Sequence, residues 1–154
     1  MEIKFARSGS VADAVMNILH GASSSIDAAL YRFNYPGLAQ ALEEAAQRGV
    51  RVRLLVDGNK YRESRITQEL LASAAVPFRL GFGRQGRGSK MHHKFVILDQ
   101  QTVLTGSYNW THESEEENHE NLLILREAYP VQAYTQEFET LWSGATGDDS
   151  KEPK

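Results

Sequence analysis

The sequence predicts an α/β protein in which a mixed, largely parallel sheet is flanked by helices on both faces. Helical and extended patterns alternate through the first half of the chain, whereas extended patterns cluster in the second half. Such alternation favours parallel strands that are joined by crossover helices. The 154 residues, 41% hydrophobic and 24% charged, are enough for one globular domain with a substantial core. We therefore expect one domain over residues 1–143, followed by a polar, disordered tail over residues 144–154.

Each predicted helix has a recognisable beginning or end. Ser10, with Asp13 three residues later, resembles an N-terminal capping box, and Gly21 would close the helix that follows. Pro36 lies where a first helical turn accepts proline, and Gly49 would end the second helix. The predicted helices, each defined by apolar residues at helical spacing, cover residues 11–20, 38–48, 66–74 and 131–142.

The predicted strands are short apolar runs bounded by turn residues. They cover residues 25–33, 50–56, 76–80, 94–98, 102–105 and 121–125. Pro77 gives the third strand an irregular start or places it at an edge of the sheet. Between residues 81 and 89, four glycines predict a mobile loop.

Composition and charge exclude several classes of function. The chain has no cysteine, which excludes disulfides, thiolate zinc sites, iron–sulfur clusters and cysteine nucleophiles. No apolar run approaches the ~20 residues of a membrane span, and the N-terminus lacks a signal-peptide layout. We therefore expect a cytoplasmic protein without stable membrane association. The net charge of -3 argues against a wholly basic nucleic-acid binder, but residues 78–98 contain five basic residues and no acidic one.

The end of this basic segment carries a polar pair at the start of a buried strand. In a strand, residues two apart share a face, so His92 and Lys94 project together and His93 points away. Residues 95–98 are continuously apolar, as in an inner strand buried on both faces. Asp99 lies seven residues from His92, on the other face, where we expect it to brace the fold near the site.

A second polar set follows the next predicted strand. Gly106 allows a tight turn that can aim the Ser107 hydroxyl and the Asn109 amide at the same place as His92 and Lys94. One nucleophile or acid–base group surrounded by hydrogen-bond donors is typical of a site for phosphate or another oxyanion.

These residues resemble the signature of the phospholipase D superfamily. The resemblance holds at each defining position, namely His92, Lys94, Asp99, Gly106, Ser107 and Asn109. Residues 118–121, which precede an apolar strand, are similar to the Glu–Asn element of that family. The likeness extends to about Trp142, and the length and order of elements are similar to those of the small single-motif bacterial nucleases. The resemblance implies the α/β/α sandwich of the superfamily.

The resemblance also implies a mechanism and roles for the motif residues. In the family, one histidine attacks phosphorus to form a phosphohistidine, and a second histidine protonates the leaving group. His92 would be the nucleophile, and Lys94 and Asn109, assisted by Ser107, would hold the phosphate. Glu120 would accept a hydrogen bond from the far ring nitrogen of His92. This chain has one copy of the motif and the mechanism needs two, which implies a symmetric homodimer. No metal and no cofactor are expected.

Three functions compete for this site. The leading hypothesis is a metal-independent nuclease or phosphodiesterase that acts on DNA or RNA. In that case Arg84, Arg87 and Lys90 would contact the substrate backbone, although they could simply keep a glycine-rich loop soluble. The first alternative is a phospholipid hydrolase of the cardiolipin type. The second is a nucleic-acid-binding module without catalysis, which would have no need of a nucleophile.

Some residues permit two interpretations. His112 and His119 flank an acidic run, and a metal site built from them with glutamates is conceivable, although no compact ligand spacing is present. The acidic run itself, residues 113–117, fits a solvated loop better. Tyr31 and Phe33 follow a predicted strand and belong either to the core or to the wall of a substrate groove, with Phe33 favouring the core.

Overall fold

Residues 1–146, which the computed structural model describes, form a seven-stranded sheet between two layers of helices. The strands are β1 (Glu2–Phe5), β2 (Ser25–Leu30), β3 (Arg51–Asp57), β4 (Phe78–Gly81), β5 (Lys94–Leu98), β6 (Thr102–Gly106) and β7 (Asn121–Leu125). The α-helices are α1 (Val11–His20), α2 (Pro36–Gln47), α3 (Gly58–Glu63), α4 (Arg65–Ala74), α5 (His112–Glu116) and α6 (Ala128–Gly144). A short 3-10 helix over Ala6–Ser8 joins β1 to α1.

The sheet is mixed, as predicted, and its strand order is β1-β7-β6-β5-β2-β3-β4. The pairs β2–β3 and β3–β4 are parallel, because helices cross over between these strands. The other four pairs are antiparallel. Five of these seven strands therefore run in one direction, but most neighbouring strands are antiparallel. The expectation of a largely parallel sheet did not anticipate this pairing. The reason is that residues 99–101 are too few for a crossover, so β6 returns directly alongside β5.

Helices cover both faces of the sheet, which confirms the predicted layers. On one face, α1, α2 and α4 bury Val15, Leu42 and Leu71 against the central strands. On the other face, α6 buries Phe138 against side chains that include Phe95 of β5. The two central strands β2 and β5 are almost wholly buried, so β5 is the inner strand that its apolar run predicts.

The structure adds elements that the sequence patterns did not reveal. β1 is a four-residue edge strand with every residue exposed, so it lacks the alternation that marks a half-buried strand. Helix α6 continues through Gly144, and the main chain of Thr146 pairs with Leu80 at N···O distances of 2.6 and 3.2 Å. Order in the chain thus extends beyond the boundary predicted at residue 143. Residues 147–154 of the predicted tail lie outside the described residues.

Hydrogen-bonded turns organise the loop whose glycine content predicts mobility. Ser89 connects both sides of the loop, since its hydroxyl accepts the Gln85 N–H at 2.9 Å and donates to the Gly86 carbonyl oxygen at 3.0 Å. Gly83 is required in this loop, because an added Cβ would lie 2.6 Å from the main-chain nitrogen of Lys90. The loop therefore presents the residues that precede His92 in a defined conformation.

Candidate active site

One edge of the sheet gathers the residues of the predicted site. Leu30, the last residue of β2, pairs with Lys94, the first residue of β5. Gly106, the last residue of β6, pairs with Leu122 near the start of β7. Strands β5 and β7 thus begin where β2 and β6 end, and the motif segments that flank these strand ends meet at this edge.

His92 and Lys94 form a contacting pair. The Lys94 ammonium donates to the His92 carbonyl oxygen at 2.9 Å, and its Nζ lies 3.4 Å from Nδ1 of the same histidine. His93 points to the other face, as strand alternation predicts, where its Nε2 lies 3.2 Å from the Glu137 carboxylate on α6. The exposed imidazole of His92 and the half-buried ammonium of Lys94 are therefore close enough to contact the same ligand.

The aromatic ring of Tyr31 lies under this pair. Its centroid is 4.3 Å from that of the His92 ring. Three ammonium groups surround the same ring, with Nζ at 5.3 Å for Lys94, 5.8 Å for Lys60 and 5.9 Å for Lys90. Tyr31 is thus a buried residue that also contacts the candidate nucleophile, which combines the two interpretations left open above.

The electrostatic environment favours a neutral His92. Partial desolvation lowers the pKa of this imidazole, and the positive charges of Lys94 and Lys90 lower it further, whereas the Asp57 carboxylate opposes them. Burial also lowers the pKa of Lys94, an effect that the Glu120 carboxylate opposes through its negative charge. A neutral imidazole among cations is suited to attack an anionic phosphodiester.

A hydrogen-bonded network on the other side of the site centres on Glu120. One oxygen of its carboxylate accepts a hydrogen bond from the Ser107 hydroxyl. The other oxygen accepts hydrogen bonds from Ser114 Oγ at 3.0 Å and from Asn118 Nδ2 at 3.2 Å. The Asn121 N–H donates to Ser107 Oγ at 3.0 Å. Glu120 therefore fixes Ser107, and no hydrogen bond joins it to His92 within residues 1–146. Within these residues, the carboxylate accepts from Ser107, Ser114 and Asn118 and does not make the hydrogen bond expected with His92.

The same network reaches Asn109 through Ser114. The Asn109 N–H donates to Ser114 Oγ at 3.2 Å, while its side-chain Oδ1 is buried and has no hydrogen-bond partner in the described part of the chain. Gly106 is required beside it, since an added Cβ would lie only 2.2 Å from the Asn121 carbonyl oxygen. The chain bends at Ser107, directly after β6, but no hydrogen-bonded turn forms over residues 106–109 as predicted. Ser114 was missed because it lies within the acidic run.

The structure does not bring Asp99 to the site. Asp99 follows the far end of β5, about 20 Å from His92 at the usual rise per strand residue. Burial would raise the pKa of its carboxyl, but the main-chain N–H groups of Ser25, Ser24 and Ser23, at 3.0, 2.7 and 3.1 Å, lower it to about 2. Asp99 does brace the fold, as expected, but it joins the β5–β6 turn to the segment before β2, away from the site.

The basic loop contributes unequally to the site. Lys90 lies beside Tyr31 and lowers the pKa of His92, as described above. The Arg87 guanidinium lies 5.7 Å from the centroid of the Phe82 ring, and Arg84 is exposed on the glycine turn. Of the three predicted substrate contacts, Lys90 is the one that adjoins the His92–Lys94 pair.

A buried carboxylate outside the predicted motif anchors the segment that leads into His92. Asp57 ends β3 and is fully buried. Its Oδ1 accepts the Met91 N–H at 2.9 Å, and its Oδ2 accepts the Lys60 N–H at 2.9 Å as the N-cap of α3. One side chain therefore fixes both the residue before His92 and the start of a neighbouring helix. The available sequence signal was an Asp-Gly pair directly after a buried strand.

The acidic run forms helix α5 and is not the solvated loop expected. Glu115 accepts the Ala12 N–H at 2.9 Å and the Tyr108 hydroxyl at 2.9 Å, which attaches α5 to the start of α1. Among residues 1–146, no three His, Asp or Glu side chains are grouped as metal ligands would be. Over the same residues, no helix combines the length and apolar character that crossing a membrane requires.

Comparisons with known proteins agree with this geometry. Residues 15–142 match the protein family described as cardiolipin synthase, PLD-like domain. The mitochondrial cardiolipin hydrolase of Xenopus tropicalis is 39% identical over 125 residues, which are 81% of this chain and 58% of that protein. The chain thus spans little more than half the length of that curated relative.

Two solved structures share the whole architecture. Nuc from Salmonella typhimurium, a phospholipase D family member, superposes with a TM-score of 0.85 at 25% identity, over 96% of each chain. NucT from Helicobacter pylori gives a TM-score of 0.82 at 21% identity, over 96% of this chain and all of that one. The mixed sheet, the two helical layers and the motif at the sheet edge define a domain of the phospholipase D type. The chain belongs to the phospholipase D superfamily.

Proposed function

We propose that the protein is a metal-independent nuclease that cleaves DNA or RNA through a phosphohistidine on His92. The observation that carries the proposal is the pairing of a neutral-favoured His92 with Lys94 inside a cluster of cations. A phosphodiester needs a nucleophile on phosphorus and positive charge at its non-bridging oxygens, and this pair supplies both.

The first chemical step forms a phosphorus–nitrogen bond. A ring nitrogen of neutral His92 attacks phosphorus, the phosphorus–oxygen bond to the leaving nucleotide breaks, and the leaving oxygen receives a proton. Lys94, with the Asn109 amide and Ser107, holds the non-bridging oxygens. In the second step, water attacks phosphorus, the phosphorus–nitrogen bond breaks to release His92 and the phosphate product, and the proton of the water passes to the group that protonated the leaving oxygen.

The second acid–base group comes from another copy of the chain. The partner subunit's His92 is the proposed proton donor, since each chain carries one His92–Lys94 pair. A twofold axis through the exposed edge at His92 would place two such pairs on one phosphate. Glu120 supports each half of this site by holding Ser107 and, through Ser114, Asn109.

The cationic surroundings support a nucleic-acid substrate. Lys60, Lys90 and Lys94 cluster around Tyr31, and Arg84 and Arg87 extend positive charge along the glycine loop. A run of cations beside the catalytic pair can follow a polyanionic backbone. The presence of the whole catalytic set argues against a binding module without catalysis.

Hydrolysis of a cardiolipin-type phospholipid is the second candidate. The observation in its favour is the 39% identity to a protein named mitochondrial cardiolipin hydrolase. The same histidine chemistry would act on the phosphodiester of a lipid headgroup. The two candidates therefore differ only in whether a nucleotide or a lipid group binds next to His92.

One experiment separates these candidates. Labelled DNA, RNA and cardiolipin vesicles are incubated in excess chelator with the protein and with His92→Ala as the matched control. We expect chelator-resistant cleavage of nucleic acid that is lost in the control. Cleavage that requires an added divalent metal would contradict the histidine mechanism, and turnover of cardiolipin alone would favour the second candidate.

A further inference from the structure

A cleft opens beside the catalytic pair and has no role in the steps above. It has a volume of about 400 Å³ and lies between the segment after β2 and helices α3 and α4. Tyr31, whose ring contacts His92, lines the cleft together with Lys60 and Ile66. A ligand held at His92 can therefore extend directly into this cleft.

The lining of the cleft suits a nucleoside. Ile66 is 56% exposed although it is a large apolar residue, and its side chain faces a space bordered by Tyr31 and the exposed Arg32. Bases pack on apolar, aromatic and guanidinium surfaces regardless of their sequence, and the volume is in the range of small-ligand sites. Asn34 and Ser64 add polar groups that can contact a sugar.

A cation, Lys60, lies on the wall of the same cleft. Lys60 Nζ is 5.8 Å from the Tyr31 ring and pairs with Glu63 at 3.1 Å, but both side chains reach solvent. Exposed ion pairs of this kind contribute little to stability, so a substrate phosphate can compete with Glu63 for Lys60. The main chain of Lys60 is also tied, through Asp57, to the residue before His92. The main chain at Lys60 is therefore held in place relative to the segment before His92.

We propose that this cleft is the subsite for the nucleoside next to the scissile phosphate, and that Lys60 binds the phosphate beyond that nucleoside. The inference rests on the proposed nuclease function and specifies its substrate contacts. Lys60 and Ile66 are assigned to substrate binding, and Glu63 acts as a carboxylate that the substrate displaces.

The test compares two substrates of different length. A short labelled oligonucleotide fills the cleft, whereas bis(4-nitrophenyl) phosphate carries one phosphodiester and no nucleoside. Lys60→Ala and Ile66→Ala should each raise the oligonucleotide KM about tenfold more than the KM of the small substrate. Glu63→Gln should lower the oligonucleotide KM, because it removes the competing carboxylate.

Matched controls come from the exposed edge strand β1, where Lys4→Ala and Ile3→Ala should leave both KM values unchanged. Variants that affect both substrates equally, or neither, would overturn the subsite while leaving the nuclease function intact. A larger loss on cardiolipin vesicles than on the oligonucleotide would also overturn it, in favour of a lipid subsite. A wild-type protein that cleaves neither phosphodiester would refute the proposed function itself.

Discussion

The ammonium of Lys94 lies 3.4 Å from Nδ1 of His92 and donates to the carbonyl oxygen of the same residue at 2.9 Å. The cation that would hold a phosphate is thus attached to the residue that would attack it. Lys94 is the first residue of β5, and His92 lies two residues before it in extended chain. The two side chains therefore project to the same side. It also explains why the positive charge of Lys94 lowers the pKa of His92.

Removal of either member of this pair should abolish cleavage. We expect His92→Ala and Lys94→Ala each to lower kcat/KM at least ~10³-fold, because each removes a group on which the reacting phosphate depends. His93→Ala should change kcat/KM only a few-fold, since His93 faces Glu137 on the other side of the sheet. Steady-state kinetics on a labelled oligonucleotide, with circular dichroism as a check on folding, tests this. An inactive His93→Ala beside an active His92→Ala would contradict the assigned register.

The pH dependence of kcat/KM should report the lowered pKa of His92. The nucleophile must be neutral, so a lowered pKa keeps it active to more acidic pH than an ordinary histidine of pKa about 6.5. Lys90→Ala removes one of the charges that lower this pKa, so its acidic limb should move to higher pH. Lys4→Ala, on the distant strand β1, is the matched control and should leave the limb in place. An acidic limb that moves to lower pH in Lys90→Ala would show that the charge of Lys90 does not lower the pKa of His92.

Assembly should be required for activity. In the proposed mechanism, one His92–Lys94 pair per chain does not supply both nucleophile and acid, so we expect a dimer at micromolar concentration by sedimentation or light scattering. Mixing His92→Ala chains with Lys94→Ala chains should not restore normal turnover, because every mixed site lacks an essential group. A monomer with full activity would refute the shared site.

Asp99 should matter for stability and leave catalysis unchanged. Asp99→Ala removes a carboxylate that three main-chain N–H groups hold, so we expect a loss of about 2 kcal/mol in unfolding free energy at neutral pH. Its folded pKa of about 2 lies below the unfolded value, so this contribution is present above about pH 4 and lost as the pH falls through 2. The difference in unfolding free energy between Asp99→Ala and the wild type should therefore become smaller in acid. Gln100→Ala, the exposed next residue, is the control in denaturant titrations, and an unchanged midpoint in Asp99→Ala would contradict the bracing role.

The sequence predicted those parts of the fold that local patterns determine. The inner strand β5, the edge strand after Pro77, the helix cap at Ser10 and the first helical turn at Pro36 are present. Local patterns could not show β1, because an exposed four-residue edge strand acquires its pairing only from β7. Asp99 was expected near the site, although the length of the strand predicted over residues 94–98 already separates it from His92.

The candidate site was predictable where it is contiguous in sequence. His92 and Lys94 lie at the start of β5, and Ser107 and Asn109 follow β6, so the antiparallel pairing of these two strands brings the two segments to the same end of the sheet. The supporting residues come from distant segments, such as Asp57 at the end of β3. Their roles depend on the crossover order of the sheet, which no local pattern contains.

The most direct test of the central claim is the identity of the phosphorylated residue. Wild-type protein and His92→Ala are mixed with substrate carrying labelled phosphorus, in excess chelator, and quenched within the first turnovers. We predict label on the wild-type chain that is stable in base, released by acid, located on His92 and absent from the variant. Rapid cleavage with no protein-bound phosphorus, or with acid-stable label on Ser107, would contradict the account.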